Sequence, residues 1–222
     1  AADRTPEAIA FLKRRVVERK QDPRLATQLA ALLAGMGNRD EALTVVKASQ
    51  AANPDNTDLK DFEISLTNTD PVEARLKILD SREAPAIDKF LARYQILREA
   101  GRIPEAEAQL AEAYKLDPKD MRVTEFRFLD AISKPDWELA QALTDEAVRN
   151  NLDDANGQTY RARLLGAQRK FDEALAAITE AVGKGGALPE VWRIKGRIES
   201  QVGKPAEAVA SYRQALRLRP TD

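Results

Sequence analysis

Arginine, lysine, aspartate and glutamate are the side chains of this sequence that could do chemistry, because its 222 residues include neither histidine nor cysteine. The chain therefore lacks thiol nucleophiles, imidazole bases and disulfides, and a zinc ion would have to rely on carboxylates. The remaining residues assemble no nucleophile–base pair, metal-ligand set or phosphate cradle. The sequence predicts a protein that is not an enzyme and uses no cofactor or metal.

Two short motifs suggest ligand sites, but their spacing does not fit. GKGG at 183–186 follows a helical segment and lacks the Lys-Ser or Lys-Thr pair of a phosphate loop, so we interpret it as a turn between repeats. NPDNTD at 53–58 lacks the glycine and the terminal glutamate of a calcium loop, and helix caps and turns account for it.

The composition predicts a soluble protein. Lys and Arg (35) nearly balance Asp and Glu (36), which argues against nucleic acid as a partner. No apolar run approaches the ~20 residues needed to span a bilayer, so we expect no direct membrane insertion. These features leave the bacterial cytoplasm and the periplasm or envelope equally open. Because the sequence begins at Ala1 rather than Met, we expect a processed product or an excised piece.

A 34-residue period runs through the second half of the sequence. Three sets of positions recur at this spacing, two of alanine and one of larger residues. These are Ala106, Ala140, Ala174 and Ala208, then Ala113, Ala147, Ala181 and Ala215, and between them Leu110, Thr144, Ile178 and Tyr212. Within a copy, apolar residues recur at three- and four-residue spacing, as at Phe171, Leu175, Ile178 and Val182, which predicts amphipathic helices.

Helix-breaking residues divide each copy into two helices. Gly101, Pro135 and Gly203 fall in turns inside copies, whereas Pro118 and Pro220 close copies. No stretch alternates like a half-buried strand. The pattern therefore predicts roughly thirteen short helices and no sheet.

The last copy resembles the tetratricopeptide repeat. At the offsets of that family it carries Trp192, Gly196, Gly203, Ala208, Tyr212, Ala215 and Pro220. It departs from the family at Lys195 and Glu199, where Leu and Tyr are preferred. The resemblance implies an all-α fold, a right-handed α-solenoid or superhelix in which each helix-turn-helix repeat covers the apolar face of its neighbour.

Steps of 34 residues organise the whole chain. They place repeats at 23–56, 57–86, 87–120, 121–154, 155–188 and 189–222, after an N-terminal helix at 5–22. We therefore expect a single domain over 1–222, with about six repeats plus one helix. The repeat at 57–86 is four residues short, and we place the loss in its turn TNTDP, where Asp70 would cap and Pro71 would open the second helix.

The resemblance also implies a binding surface, because the first helices of such repeats line a concave groove for extended peptides or a partner's helix. By position, the groove residues would be Arg24, Thr27, Gln28, Ala31, Asp58, Asp61, Phe62, Ser65, Asp88, Leu91, Ala92, Gln95, Arg122, Glu125, Phe126, Leu129, Asn156, Thr159, Tyr160, Arg163, Glu190, Arg193, Ile194 and Arg197. The two-carboxylate clamp of some family members is absent, since Thr27, Ala31 and Phe126 stand among the positions it needs.

The C-terminal half of this groove is the predicted binding site. An apolar floor of Phe126, Leu129 and Tyr160 is flanked by Arg122, Arg163, Arg193 and Arg197, which suits an acidic segment with an aromatic or aliphatic anchor. We expect Arg163, Arg193 and Arg197 to lie outside the core. The alternative is that the four arginines form a solvated face and only balance Glu125, Glu190 and nearby carboxylates.

The sequence thus predicts a noncatalytic scaffold or adaptor that binds another protein or an extended peptide. One alternative is self-assembly, because the last helix leaves Tyr212, Leu216 and Leu218 without a capping helix, so a homo-oligomer could form through that face. Another is that the chain is the recognition segment of a larger bacterial envelope assembly for secretion or polysaccharide export.

Overall fold

The computed structural model describes residues 5–150 and 155–219, and the regular structure in these ranges is α-helical, without a β-strand. In chain order its helices are α1 Thr5–Glu18, α2 Pro23–Gly35, α3 Arg39–Ala52, α4 Thr57–Thr67, α5 Pro71–Ser81, α6 Ala86–Glu99, α7 Ile103–Leu116, α8 Met121–Ser133, α9 Trp137–Asn150, α10 Asn156–Ala167, α11 Phe171–Gly185, α12 Pro189–Gln201 and α13 Pro205–Leu218. The all-α helical-repeat prediction is confirmed. Pro220, expected to close the last repeat, lies outside the described residues.

Side chains cap the N-terminus of several helices that open a repeat. The Asp22 carboxylate accepts the backbone N–H of Arg24 at 2.9 Å at the start of α2, and Asp120 does the same for Arg122 at 2.7 Å at the start of α8. Such caps satisfy backbone donors that have no partner inside the helix. In three repeats the turn after the first helix contains a glycine with positive φ, for example Gly203 at 76°, a conformation that a side chain disfavours.

The second helix of the short repeat begins as predicted, but the four residues that the repeat lacks are not missing from the turn before it. Asp70 accepts the Val72 N–H at 2.8 Å, and Pro71 opens α5. The turn between α4 and α5 has three residues, as in the other repeats, so the expected loss in TNTDP is wrong. Instead, α4 and α5 each have 11 residues, whereas α2 has 13 and α3 has 14. The deficit therefore lies in the helices and not in the turn between them.

The helices group into two compact units, unit 1 at Ala1–Asp117 and unit 2 at Pro118–Asp222. In unit 1 a core around Leu29, Leu33 and Val46 joins α2 to α3 and α4. Unit 2 has its own cores, one of them built on Ile178 and Ile194 from α11 and α12. Within each unit, every helix packs on its neighbours in sequence, which is how a repeat buries an apolar face that it cannot bury alone.

The alanines of the 34-residue period lie at helix crossings. Ala106, Ala140, Ala174 and Ala208 are at most 4% exposed. In the second set Ala113, Ala147 and Ala181 are buried, while Ala215 on α13 is partly exposed. Small side chains at these positions let two helix backbones approach closely, so the 34-residue period reflects how the helices pack.

Replacing Ala174 by leucine should lower the free energy of unfolding by about 1–3 kcal/mol, because the larger side chain overpacks a crossing with no free space. Ala176, two residues along α11, is exposed. Ala176→Leu is therefore the matched control and should change stability little. Urea denaturation followed by circular dichroism measures both, and equal losses in the two variants would contradict this account of the period.

Candidate functional site

The seven residues of the predicted binding site lie on the first helices of the three repeats of unit 2. Arg122, Phe126 and Leu129 are on α8, Tyr160 and Arg163 on α10, and Arg193 and Arg197 on α12. Phe126, Leu129 and Tyr160 are half-buried, and Arg122, Arg193 and Arg197 are exposed. Arg163 differs from the other arginines, since only 9% of it is exposed.

Arg163 is the centre of a buried cluster. Its Nη1 donates to Glu125 Oε2 at 2.9 Å and its Nη2 to Glu125 Oε1 at 2.8 Å, a bidentate ion pair. The guanidinium carbon lies 5.0 Å from the centre of the Phe128 ring and 5.7 Å from that of Tyr160. These two rings meet edge to face, 4.7 Å apart. The expectation that Arg163 lies outside the core is therefore wrong.

Tyr160 takes part in the same cluster. Burial raises the pKa of its phenol well above the ordinary value, and the negative charge of Glu125 and a hydrogen bond with it add to the effect. The phenol therefore stays protonated at physiological pH. Arg163 and Tyr160 both bind Glu125. The polar groups of Arg163 and Tyr160 are therefore little available to a ligand.

Arg122 and Arg193 are paired on their own helices. Arg122 Nη2 lies 2.7 Å from Asp120 Oδ2, and this hydrogen bond and the backbone donors of the cap hold the pKa of Asp120 below its usual value. Arg193 Nε donates to Glu190 Oε2 at 2.7 Å. The Arg193–Glu190 pair is exposed on both sides and is worth little, so a ligand carboxylate could exchange with Glu190, whereas the Asp120 side chain is only 13% exposed.

Arg197 lies among positive charges that the nearby Glu190 offsets only in part. It is exposed and makes no ion pair with any residue that the structure describes. Partial burial of its side chain lowers its pKa, and the positive charges of Arg163 and Arg193 lower it further. A nearby anion would relieve this repulsion between like charges.

A cavity of about 520 Å³ opens beside Tyr160. Its other lining residues are Pro118, Lys119, Met121, Thr124, Glu146, Ala147 and Asn156. Met121 is 68% exposed at its rim. Of the predicted apolar floor, only Tyr160 lines this cavity, whereas Phe126 and Leu129 do not. The cavity is a recess of mixed polarity that the sequence pattern did not identify, because residues of α9 form one side of it.

Unit 1 contains a larger cleft between α2 and α4, of about 970 Å³. All eight groove residues predicted from these two helices line it, together with Asp22, Pro23 and Asn56. The groove positions that the family resemblance implies for α2 and α4 therefore do line a cleft. Elsewhere four of the predicted groove residues are buried instead, namely Leu91, Thr159, Arg163 and Ile194.

Neither a metal site nor a membrane span is found in the described part of the chain. Across residues 5–150 and 155–219, no three carboxylates are grouped closely enough to hold a metal ion. None of the helices described above is both long and apolar enough to cross a membrane.

Comparisons with known proteins agree with the fold. A family model of the tetratricopeptide repeat matches residues 160–222. A crystal structure of a tetratricopeptide repeat protein from Parabacteroides merdae superimposes with a TM-score of 0.56, at 16% identity, over 96% of this chain and 86% of that one. MamA 41-end from Desulfovibrio magneticus RS-1 matches with a TM-score of 0.41 at 12% identity, over 89% of this chain and 95% of that one.

A search among curated protein sequences finds no match. Residues 160–222 match the tetratricopeptide repeat, and nearly the whole chain has the fold of a tetratricopeptide repeat protein.

Proposed function

We propose that the chain is a noncatalytic scaffold that binds a segment of another protein through unit 2. The observation that carries the proposal is Arg197, an exposed guanidinium with positive neighbours and no ion pair among the described residues. A guanidinium binds a carboxylate through two parallel hydrogen bonds, which gives both strength and orientation. The partner segment is therefore acidic at the position that meets Arg197.

Other residues of unit 2 offer apolar contacts. Phe126 and Leu129 are half-buried on α8, so part of each side chain remains open to a ligand. The recess beside Tyr160 has the volume for an aliphatic or aromatic side chain. A bound segment would combine one apolar anchor with a carboxylate, and anchors of this kind contribute most of the affinity at protein interfaces.

Arg197→Glu should weaken partner binding by at least about tenfold, because it replaces the attracting charge with a repelling one. Arg213 is an exposed arginine on α13, outside the predicted site, and Arg213→Glu is the matched control. Partners would be captured from a lysate of the source organism, identified by mass spectrometry, and titrated as purified segments by calorimetry. Circular dichroism would verify that both variants fold.

The proposal fails if Arg197→Glu and Arg213→Glu bind the captured partner equally well. A second candidate, self-association, would appear in the same experiment as capture of the chain itself. It is favoured by a stripe along α13, where Val209 is 47%, Tyr212 38% and Leu216 67% exposed. Spacings of three and four residues place these side chains on one helix face. A mass that rises with concentration in analytical ultracentrifugation would identify this case.

A further inference from the structure

The cleft between α2 and α4 in unit 1 has a charge opposite to that of the predicted site in unit 2. Three aspartates line it, Asp22, Asp58 and Asp61, against one basic residue, Arg24. Asp22 also caps α2, where it accepts two backbone N–H groups. Asp58 is exposed and forms no ion pair with the described residues. The lining residues alone thus carry two more negative than positive charges, and the excess falls to one when Arg82, which pairs with Asp61, is included.

The arrangement of these carboxylates suits separated cationic groups. No three of them are grouped as a metal site in the described chain. Asp58 and Asp61 are three residues apart on α4, which puts their side chains about 5–6 Å apart on one face of the helix. An extended peptide with basic side chains can therefore meet both carboxylates.

The cleft already receives one guanidinium from its own unit. Arg82, which follows α5, donates from Nη2 to Asp61 Oδ2 at 2.7 Å. The Arg82 side chain is 63% exposed and that of Asp61 20% exposed. An exposed pair of this kind is weak, so an arginine of a partner can take the place of Arg82 without a large loss.

Apolar surface beside the carboxylates completes the site. Phe62 is half-buried and lines the cleft together with Pro23 and Ala31. The methylene stems of Lys and Arg pack on such surface while their charged ends remain in water, and an aromatic ring attracts the cation itself.

We propose that the α2–α4 cleft docks an extended segment of another protein that carries arginine or lysine next to an apolar residue. The cleft of about 970 Å³, its charge and the internal arginine contact support this occupant. The inference is independent of the binding role of unit 2, since the residues that carry it all belong to unit 1.

A display library of random twelve-residue peptides, panned on the purified full chain, tests the proposal. We expect the enriched peptides to contain at least about three times as many basic as acidic residues. The most enriched peptide would then be labelled with fluorescein and its affinity measured by anisotropy, with circular dichroism as the check on folding. The proposal is overturned if the enriched peptides show no basic excess.

Three variants locate the binding. Asp58→Lys should weaken binding of the labelled peptide by at least about tenfold. Asp55 is exposed, precedes α4 and does not line the cleft, so Asp55→Lys should leave the affinity unchanged. Arg82→Ala should tighten binding by about threefold, because it frees Asp61. Equal affinity of the Asp58 and Asp55 variants would overturn the site, and unchanged affinity of Arg82→Ala would overturn the exchange at Asp61.

Discussion

Replacing Arg163 by methionine should lower the free energy of unfolding by about 3 kcal/mol, the lower end of the range for removing one partner of a buried ion pair. The lower end applies because the Glu125 side chain is 36% exposed, whereas Arg163 is only 9% exposed. The variant leaves Glu125 without its bidentate partner and removes the cation that lies against the rings of Phe128 and Tyr160.

Arg161 provides the control for this experiment. It lies on the same helix, two residues away, and is exposed. Arg161→Met removes the same charge and should change the free energy of unfolding by less than about 0.5 kcal/mol. Urea denaturation of the three proteins gives the comparison. Similar midpoints for Arg163→Met and Arg161→Met would show that the buried cluster contributes nothing to stability.

Lys195→Met should destabilise unit 2 by about 3–5 kcal/mol, because it leaves the Glu199 carboxylate buried without its cation. Glu199 is 3% exposed and accepts hydrogen bonds from Lys195 Nζ and, at 2.6 Å, from Ser211 Oγ on α13. Lys195 also lies over the Trp192 ring, 5.8 Å from its centre. Thermal unfolding and urea denaturation measure the loss.

The double variant Lys195→Met/Glu199→Met distinguishes a buried charge from simple loss of packing. Replacing a whole buried ion pair by apolar side chains of similar volume is often neutral or stabilising. We therefore expect the double variant to recover most of the stability that Lys195→Met loses. A double variant as unstable as the single one would mean that the geometry of the pair, and not the unpaired carboxylate, holds α12 on α13.

Most of the fold follows from the sequence because it depends on local patterns. The helix limits follow from caps such as Asp70 and from glycines such as Gly203, which act within one or two turns of the chain. Burial of Ala174 follows from its place in the 34-residue period. The sequence led us to place the four missing residues in the turn, whereas α4 and α5 are short. A count of residues does not show how a deficit is shared between helices and turn.

The candidate site was less predictable because side-chain partners belong to different helices. Arg163 occupies a groove position by sequence, but Phe128 on α8 places a ring beneath its guanidinium, and Glu125 takes both of its donors. Lys195 and Glu199 were recognisable as departures from the family pattern. Their pairing with Ser211 was not, because no periodicity shows which hydroxyl a buried carboxylate will meet.

The early end of α5 shows how a change in helix length can place a charged side chain in a groove. A helix of 14 residues, like α3 or α7, would include position 82, whereas here Arg82 follows the helix in an extended conformation, with φ −90° and ψ 142°. From there its side chain reaches Asp61. A difference of about one helical turn in the length of a repeat can thus redirect a charged side chain and so alter which partners a groove admits.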